Sequence, residues 1–229
     1  MVNFCYLFIL FIIYSMIGWT AEVIMALFVE KKFVNRGFLI GPYCPIYGIG
    51  SILIIYFLKK YMDSIIVLFV MSTFICMVLE YFTSYILEKI FKARWWDYSK
   101  SRFNINGRIC LETAIPFGLG SVFIMYVINP FIENILHMIP DNTLSTIGTV
   151  LITAFTIDVV VSFITMLKVR DITVGKIMDN TIMMNKRVKE YLTRESALTR
   201  RLIESFPDFR MIIKKDNIIK KIKNNMFKK

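Results

Sequence analysis

The sequence contains few of the side chains that usually bind metals. His137 is its one histidine, and its four cysteines include no CxxC pair. Zinc and haem sites of the usual kind need such ligands at close spacing. We therefore expect no metal site and no cofactor. Each cysteine lies in or beside an apolar run, which is typical of a small buried side chain.

Motifs of nucleotide-binding proteins and hydrolases are also absent. The sequence has no GxxxxGK[ST] loop, no Gly-rich dinucleotide fingerprint, no HExxH and no GxSxG. If the protein takes part in ATP-driven transport, a separate chain must supply the ATP-binding site. The residues do not decide whether the protein is an enzyme, although they favour a non-enzyme.

Apolar residues are abundant instead. They make up 56% of the 229 residues, above the roughly 45–50% that is usual in soluble proteins. A helix needs about 20 apolar residues to cross the ~30 Å hydrocarbon core of a bilayer. The sequence therefore predicts an all-α membrane bundle of about five transmembrane helices, at 4–29, 40–58, 65–91, 109–128 and 147–167. The first run is too long for a signal peptide, so we expect it to be retained.

Basic residues are strongly concentrated in three segments. Of the 28 Lys and Arg residues, 17 follow residue 167 and nine lie in segments 30–44 and 89–108. Because cytoplasmic loops carry the excess of Lys and Arg, this predicts a membrane protein with its N-terminus outside and its C-terminus in the cytoplasm. Residues 1–167 would form the membrane domain, and 168–229 a basic, helical, amphipathic tail. Such a tail either lies on an anionic leaflet or covers the cytoplasmic loops.

The sequence also contains an internal repeat. Residues 33–57 align with 103–127 at an offset of 70, and Glu22 aligns with Glu80 at an offset of 58. The change of offset implies a 12-residue insertion in the second loop. Parallel repeats are a known membrane-protein architecture, so we predict that helices 1 and 2 are repeated, in the same orientation, by helices 3 and 4.

Acidic residues inside the apolar runs are the leading functional candidates. A carboxylate at the centre of a membrane helix costs roughly 2.5–3.5 kcal/mol on insertion scales. We expect these acids to point into one cytoplasm-facing polar site, where two arginines at helix entrances could pair with Glu22 or Glu80. The alternative is that they form intramolecular salt bridges that close the bundle. The candidate ligand-binding or translocation residues are Glu22, Arg36, Glu80, Arg108, Glu112 and Asp158.

Polar and aromatic loop residues form a second candidate group. Adjacent tryptophans are typical of an interfacial belt. The alternative is a lip over the acidic site that stacks on a ligand or binds a lipid headgroup. The candidate lip residues are Asn35, Tyr43, Trp95, Trp96, Asp97 and Asn106.

Several segments are distinctive in combination. They are 33–39 (FVNRGFL), 41–48 (GPYCPIYG), 79–84 (LEYFTS), 93–99 (ARWWDYS) and 103–111 (FNINGRICL). Together they resemble a bacterial family labelled as ABC-transporter permeases of type IV (CmpB-like), over nearly the whole chain. The resemblance implies a small multi-pass protein of the bacterial cytoplasmic membrane and brings neither a substrate nor catalytic residues.

The sequence therefore predicts a transport permease with a cytoplasm-facing site built from intramembrane acids. Two alternatives stay open: a membrane-embedded enzyme acting on a lipid or prenyl-linked substrate, and a scaffold or regulator that acts through its basic tail. The expected partners are the lipid bilayer, a separate ATP-binding subunit and a second copy in a homodimer, since five helices are few for a self-sufficient transporter. We expect no nucleic-acid partner.

Overall fold

The computed structural model describes residues 2–31, 33–176, 197–206 and 210–211. Its helices are α1 (Val2–Glu30), α2 (Pro45–Leu58), α3 (Ile65–Phe91), α4 (Leu111–Phe123), α5 (Asn129–His137), α6 (Asp141–Lys176) and α7 (Ala197–Glu204), with a 3₁₀ turn at Lys59–Tyr61 and a π-helical segment at Ile124–Ile128. The short strands are β1 (Ala93–Arg94), β2 (Asn104–Ile105), β3 (Ile109–Cys110) and β4 (Arg210–Met211). We call residues 31–44 the first loop and residues 92–110 the second loop.

Four helical stretches of the described chain are long and apolar enough to cross a membrane. They are Phe4–Val29, Ile65–Phe91, Leu111–His137 and Asp141–Asp171. This confirms the predicted helical membrane bundle. The predicted span at 40–58 is shorter than expected, because α2 has only 14 residues and a length of about 21 Å. The predicted fourth span is longer, because the π-helical segment continues α4 into α5.

The first loop explains why α2 is short. Two prolines and a glycine in residues 41–45 disfavour a helix there, and α2 begins only at Pro45. The loop instead runs alongside α1: Trp19 Nε1 donates to Asn35 Oδ1 at 2.7 Å, and the Cys44 amide donates to the Ser15 carbonyl at 2.9 Å. Non-helical backbone at this depth is tolerated only where protein groups satisfy its polar atoms.

The two predicted repeats pack in the same way. A Cβ added to Gly48 of α2 would collide with Ser15 and Phe11 of α1, and a Cβ added to Gly118 of α4 would collide with the equivalent Thr73 and Phe69 of α3. Phe69 and Thr73 lie 58 positions after Phe11 and Ser15, and Gly118 lies 70 positions after Gly48. These are the two offsets of the sequence repeat. The α1–α2 and α3–α4 hairpins therefore share their close-packed contact, which supports the predicted repeat.

The described part of the tail joins both loops at one end of the bundle. The Arg201 guanidinium donates to the carbonyls of Leu39 and Phe38 at 2.6 and 3.1 Å, and β4 pairs with β1 of the second loop. Leu202 is buried in a cluster with Trp95. All three basic segments of the sequence thus contribute to the same end. The amphipathic stripes predicted for 177–196 and 212–229 lie outside the described residues.

Candidate functional site

Glu22 and Glu80 occupy equivalent positions in the two hairpins, and each accepts a hydrogen bond from a tyrosine. Tyr47 of α2 donates its hydroxyl to Glu22 Oε1. Tyr98 of the second loop donates to Glu80 Oε1 at 3.2 Å. Glu22 is half-buried, and Glu80 is 5% exposed. Each acid therefore has a hydroxyl donor from outside its own helix.

The two acids influence the same tyrosine of the second loop. After burial, the charges of Glu80 and Glu22 both raise the pKa of the Tyr98 phenol. The rings of Tyr47, which bonds Glu22, and of Phe117, its repeat equivalent, have centroids 6.1 Å apart. Equivalent residues of two repeats can touch only near the axis that relates the repeats. Glu22 therefore lies beside this pseudo-twofold axis, and Tyr98 is within electrostatic reach of both acids.

One oxygen of this pair has no partner. Glu80 Oε2 is buried and accepts no hydrogen bond from the described residues. A buried polar atom without a partner costs about 1–3 kcal/mol, and more when it is charged. Burial, followed by the charge of Glu80, raises the pKa of the Tyr98 phenol above its ordinary value. Tyr98 therefore stays protonated at neutral pH and remains a donor.

The predicted pairing of Arg108 with Glu22 or Glu80 is wrong. Arg108 is buried and bonds Glu88 at 2.8 Å and Ser84 Oγ at 3.1 Å. Arg94 also contacts Glu88, at 3.0 Å. These residues form a salt-bridge network that joins the second loop to the end of α3. Such intramolecular salt bridges are the structural role that the sequence left open for its charged residues.

The other predicted arginine lies in the first loop. Arg36 is half-buried, and its backbone carbonyl accepts a hydrogen bond from the Cys44 thiol at 3.5 Å. This contact links the start of the first loop to the start of α2. The role of the guanidinium in a ligand site stays a prediction.

Asp158 bonds the first loop, and both oxygens of its carboxylate accept hydrogen bonds. Its two oxygens accept from the amides of Ile40 and Gly41 at 2.8 and 2.7 Å, from the Tyr43 hydroxyl at 2.6 Å and from Ser162 Oγ at 2.9 Å. Because the first loop is not helical there, these amides need an acceptor from elsewhere. Asp158 provides it, so its contacts are those of a structural residue.

Glu112 lies in the first turn of α4 and is exposed. An acidic side chain in this position is favoured by the helix dipole. A shared site for the four acids stays a prediction.

The predicted aromatic lip is a packing cluster instead. Trp95 is 3% exposed, and its ring contacts Phe38, Phe91 and Phe206. Trp96 Nε1 donates to the Arg108 carbonyl at 2.9 Å. The tail covers Trp95, which a sequence pattern for an interfacial belt does not reveal.

The polar residues of the predicted lip bond within the protein. Asp97 accepts from the Ser99 amide at 3.1 Å, and Asn106 donates to the Tyr81 hydroxyl at 2.9 Å. Asn35 and Tyr43 make the contacts already given, to Trp19 and Asp158. All four therefore help to shape the two loops.

No sequence pattern identifies Tyr47 and Tyr98 as partners of the acids. Tyr47 has Phe117 as its repeat equivalent, so the repeat pattern does not mark it as a donor. Tyr98 lies within the insertion that the first loop lacks. Among the described residues no group of three or more His, Cys, Asp or Glu side chains could hold a metal ion. Two carboxylates can accept protons or hydrogen-bond a cationic group.

A model of a protein family described as "Putative ABC-transporter type IV" matches residues 9–163. The match includes both hairpins, both acids of the pair and most of α6. Searches of curated proteins and of solved structures found no match.

Proposed function

Since the chain belongs to this type IV ABC-transporter family, we propose that it is the membrane-spanning permease of a transporter and that Glu22 and Glu80 form its substrate site. The observation that carries the proposal is the contact between the equivalent rings of Tyr47 and Phe117, beside the hydrogen bond from Tyr47 to Glu22. Substrate sites of transporters built from repeats lie at the interface between the repeats. The site would be reached from the end of the bundle that carries the basic loops, which we assign to the cytoplasm.

The contrast with Glu88 supports a functional role for the pair. Glu88 is paired with Arg94 and Arg108, as expected of an acid that stabilises the fold. In the described chain neither Glu22 nor Glu80 has an ion pair. Acids that are held inside a membrane protein without a cation usually line a substrate or ion pathway. Because Glu80 is almost fully buried, the proposed site would have to open to admit a ligand.

Co-purification tests the ABC-transporter part of the proposal. The tagged protein is extracted in mild detergent, and the proteins that accompany it are identified by mass spectrometry. We expect a stoichiometric ATP-binding subunit. Repeated recovery of the chain with only itself and lipid would contradict an ABC-type mechanism and leave a secondary carrier.

Glu80→Gln tests the role of the acid pair. The purified complex is reconstituted into liposomes, and uptake of a panel of labelled amines, amino acids and organic anions is measured. We expect the variant to lose uptake by about tenfold or more, since a hydrogen bond to a charged group contributes ~1.5–3 kcal/mol. Glu112→Gln, at an exposed acid, is the matched control and should keep wild-type uptake. A Glu80→Gln protein that transports normally, or that shows only a lower yield, would make the acid structural.

A further inference from the structure

One buried oxygen of Glu80 has no hydrogen-bond partner among the described residues, and this restricts which ligands the proposed site can bind. Glu80 Oε1 accepts from Tyr98, while Oε2 is buried and accepts no hydrogen bond in the described chain. An oxygen in this state is best satisfied by a ligand that brings its own donor. An anionic ligand would be repelled by both carboxylates, so this position favours a neutral or cationic donor.

The hydrogen bonds that the two acids already accept indicate which kind of N–H donor the ligand carries. A tyrosine already occupies one oxygen of each carboxylate. A planar guanidinium pairs best with a carboxylate whose two oxygens are both available, which neither acid offers. An ammonium group has three N–H donors on one centre, so it can bond Glu80 Oε2 and reach Glu22 at the same time.

The aromatic rings at the axis also favour a cation. Tyr47 bonds Glu22, and its ring contacts that of Phe117. Aromatic faces attract ammonium groups, most strongly where water is excluded. We therefore infer that the site between the two repeats recognises a primary ammonium group, held by Glu80 Oε2 and the carboxylate of Glu22. The inference rests on the proposed substrate site and names the class of its ligand.

Ligand discrimination by the wild-type protein tests the inference. Thermal unfolding of the purified full-length chain in detergent is followed with added ethylammonium, tetramethylammonium or sodium chloride at equal ionic strength. We expect ethylammonium to raise the midpoint and to bind about tenfold more tightly than tetramethylammonium, because the quaternary ion has no N–H and leaves Oε2 without a partner. Equal effects of the two ammonium ions, or of sodium, would overturn the inference.

Variants then locate the binding. Glu80→Gln should abolish the ethylammonium shift, and Glu112→Gln should retain it. A shift that persists in Glu80→Gln would place the ligand elsewhere and overturn the inference.

The two proposals can fail separately. Selective ethylammonium binding without any uptake by liposomes would overturn transport but support the ammonium site. Glu80-dependent uptake of a substrate that lacks an ammonium group would support transport and overturn the ammonium site.

Discussion

The two loops at the tail end of the bundle are equivalent in the repeat but are held in different ways. The first loop depends on other parts of the chain: Asp158 of α6 binds its amides, and Arg201 of the tail binds its carbonyls. The second loop also pairs with the tail through β1 and β4, but its ion pairs, between Glu88 and the two arginines Arg94 and Arg108, join it to the end of α3.

This difference indicates which half of the site can move. Tyr47 follows directly from the first loop, whereas Tyr98 belongs to the second. If α6 or the tail shifts, the first loop loses hydrogen bonds while the second keeps its salt-bridge network. We therefore expect a cation to enter through displacement of the first loop, with the second loop and Glu80 as the fixed side.

The largest effect is expected in the fixed loop. Arg108→Met leaves Glu88 with one cation instead of two and removes the bond to Ser84. Breaking a buried ion pair is strongly destabilising, so we expect a loss of about 3 kcal/mol in the free energy of unfolding in detergent. Arg102→Met changes an exposed arginine of the same loop and should change the free energy of unfolding by less than about 0.5 kcal/mol. Equal losses in the two variants would contradict the proposed role of the network.

A smaller effect is expected when the first loop loses its acceptor. Asp158→Asn removes the negative charge from the side chain that accepts hydrogen bonds from the amides of Ile40 and Gly41. The free energy of unfolding should fall by about 1.5–3 kcal/mol. Limited proteolysis should show faster cleavage in the first loop and unchanged cleavage in the second. Asp171→Asn, at an exposed acid of the same helix, is the control. If both loops became equally sensitive in Asp158→Asn, the loops would not be independently held.

The smallest effect is expected from the tail. Arg201→Ala removes two hydrogen bonds to the first loop and should reduce the free energy of unfolding by about 1–2 kcal/mol. Thiol labelling of Cys44, which is buried at the end of this loop, should become faster. Lys100→Ala, in the second loop, should leave the labelling rate unchanged. Unchanged labelling in Arg201→Ala would show that the tail does not control the first loop.

The sequence was sufficient for the helical membrane bundle, the repeat and the family. Apolar runs, the two repeat offsets and the loop motifs are local features of the sequence. The structure contains the long apolar helices and the equivalent hairpin contacts that the first two predict. A shared site for Glu22 and Glu80 is also expected from their equivalent repeat positions, because equivalent residues can meet near a symmetry axis.

Other features depend on contacts that no local pattern records. Asp158 bonds backbone amides that are available only because residues 37–44 do not form a helix. Trp95 is buried by a tail that lies about 100 residues further along the chain. Arg108 pairs with Glu88 rather than Glu80 because the second loop folds back onto the last turns of α3. Residue type and spacing alone therefore do not reveal these contacts.

Covalent cross-linking tests the central claim, that the repeats bring Glu22 and Glu80 together in one site. Both acids are replaced by cysteine in a chain without the four native cysteines, with a protease site in the 59–64 turn between the hairpins. A short bifunctional thiosulfonate is added to membranes before cleavage. We predict that the Glu22→Cys/Glu80→Cys fragments stay linked, whereas those of Glu22→Cys/Glu112→Cys separate. Separation of the fragments in the first variant, or equal linking in both, would contradict the account.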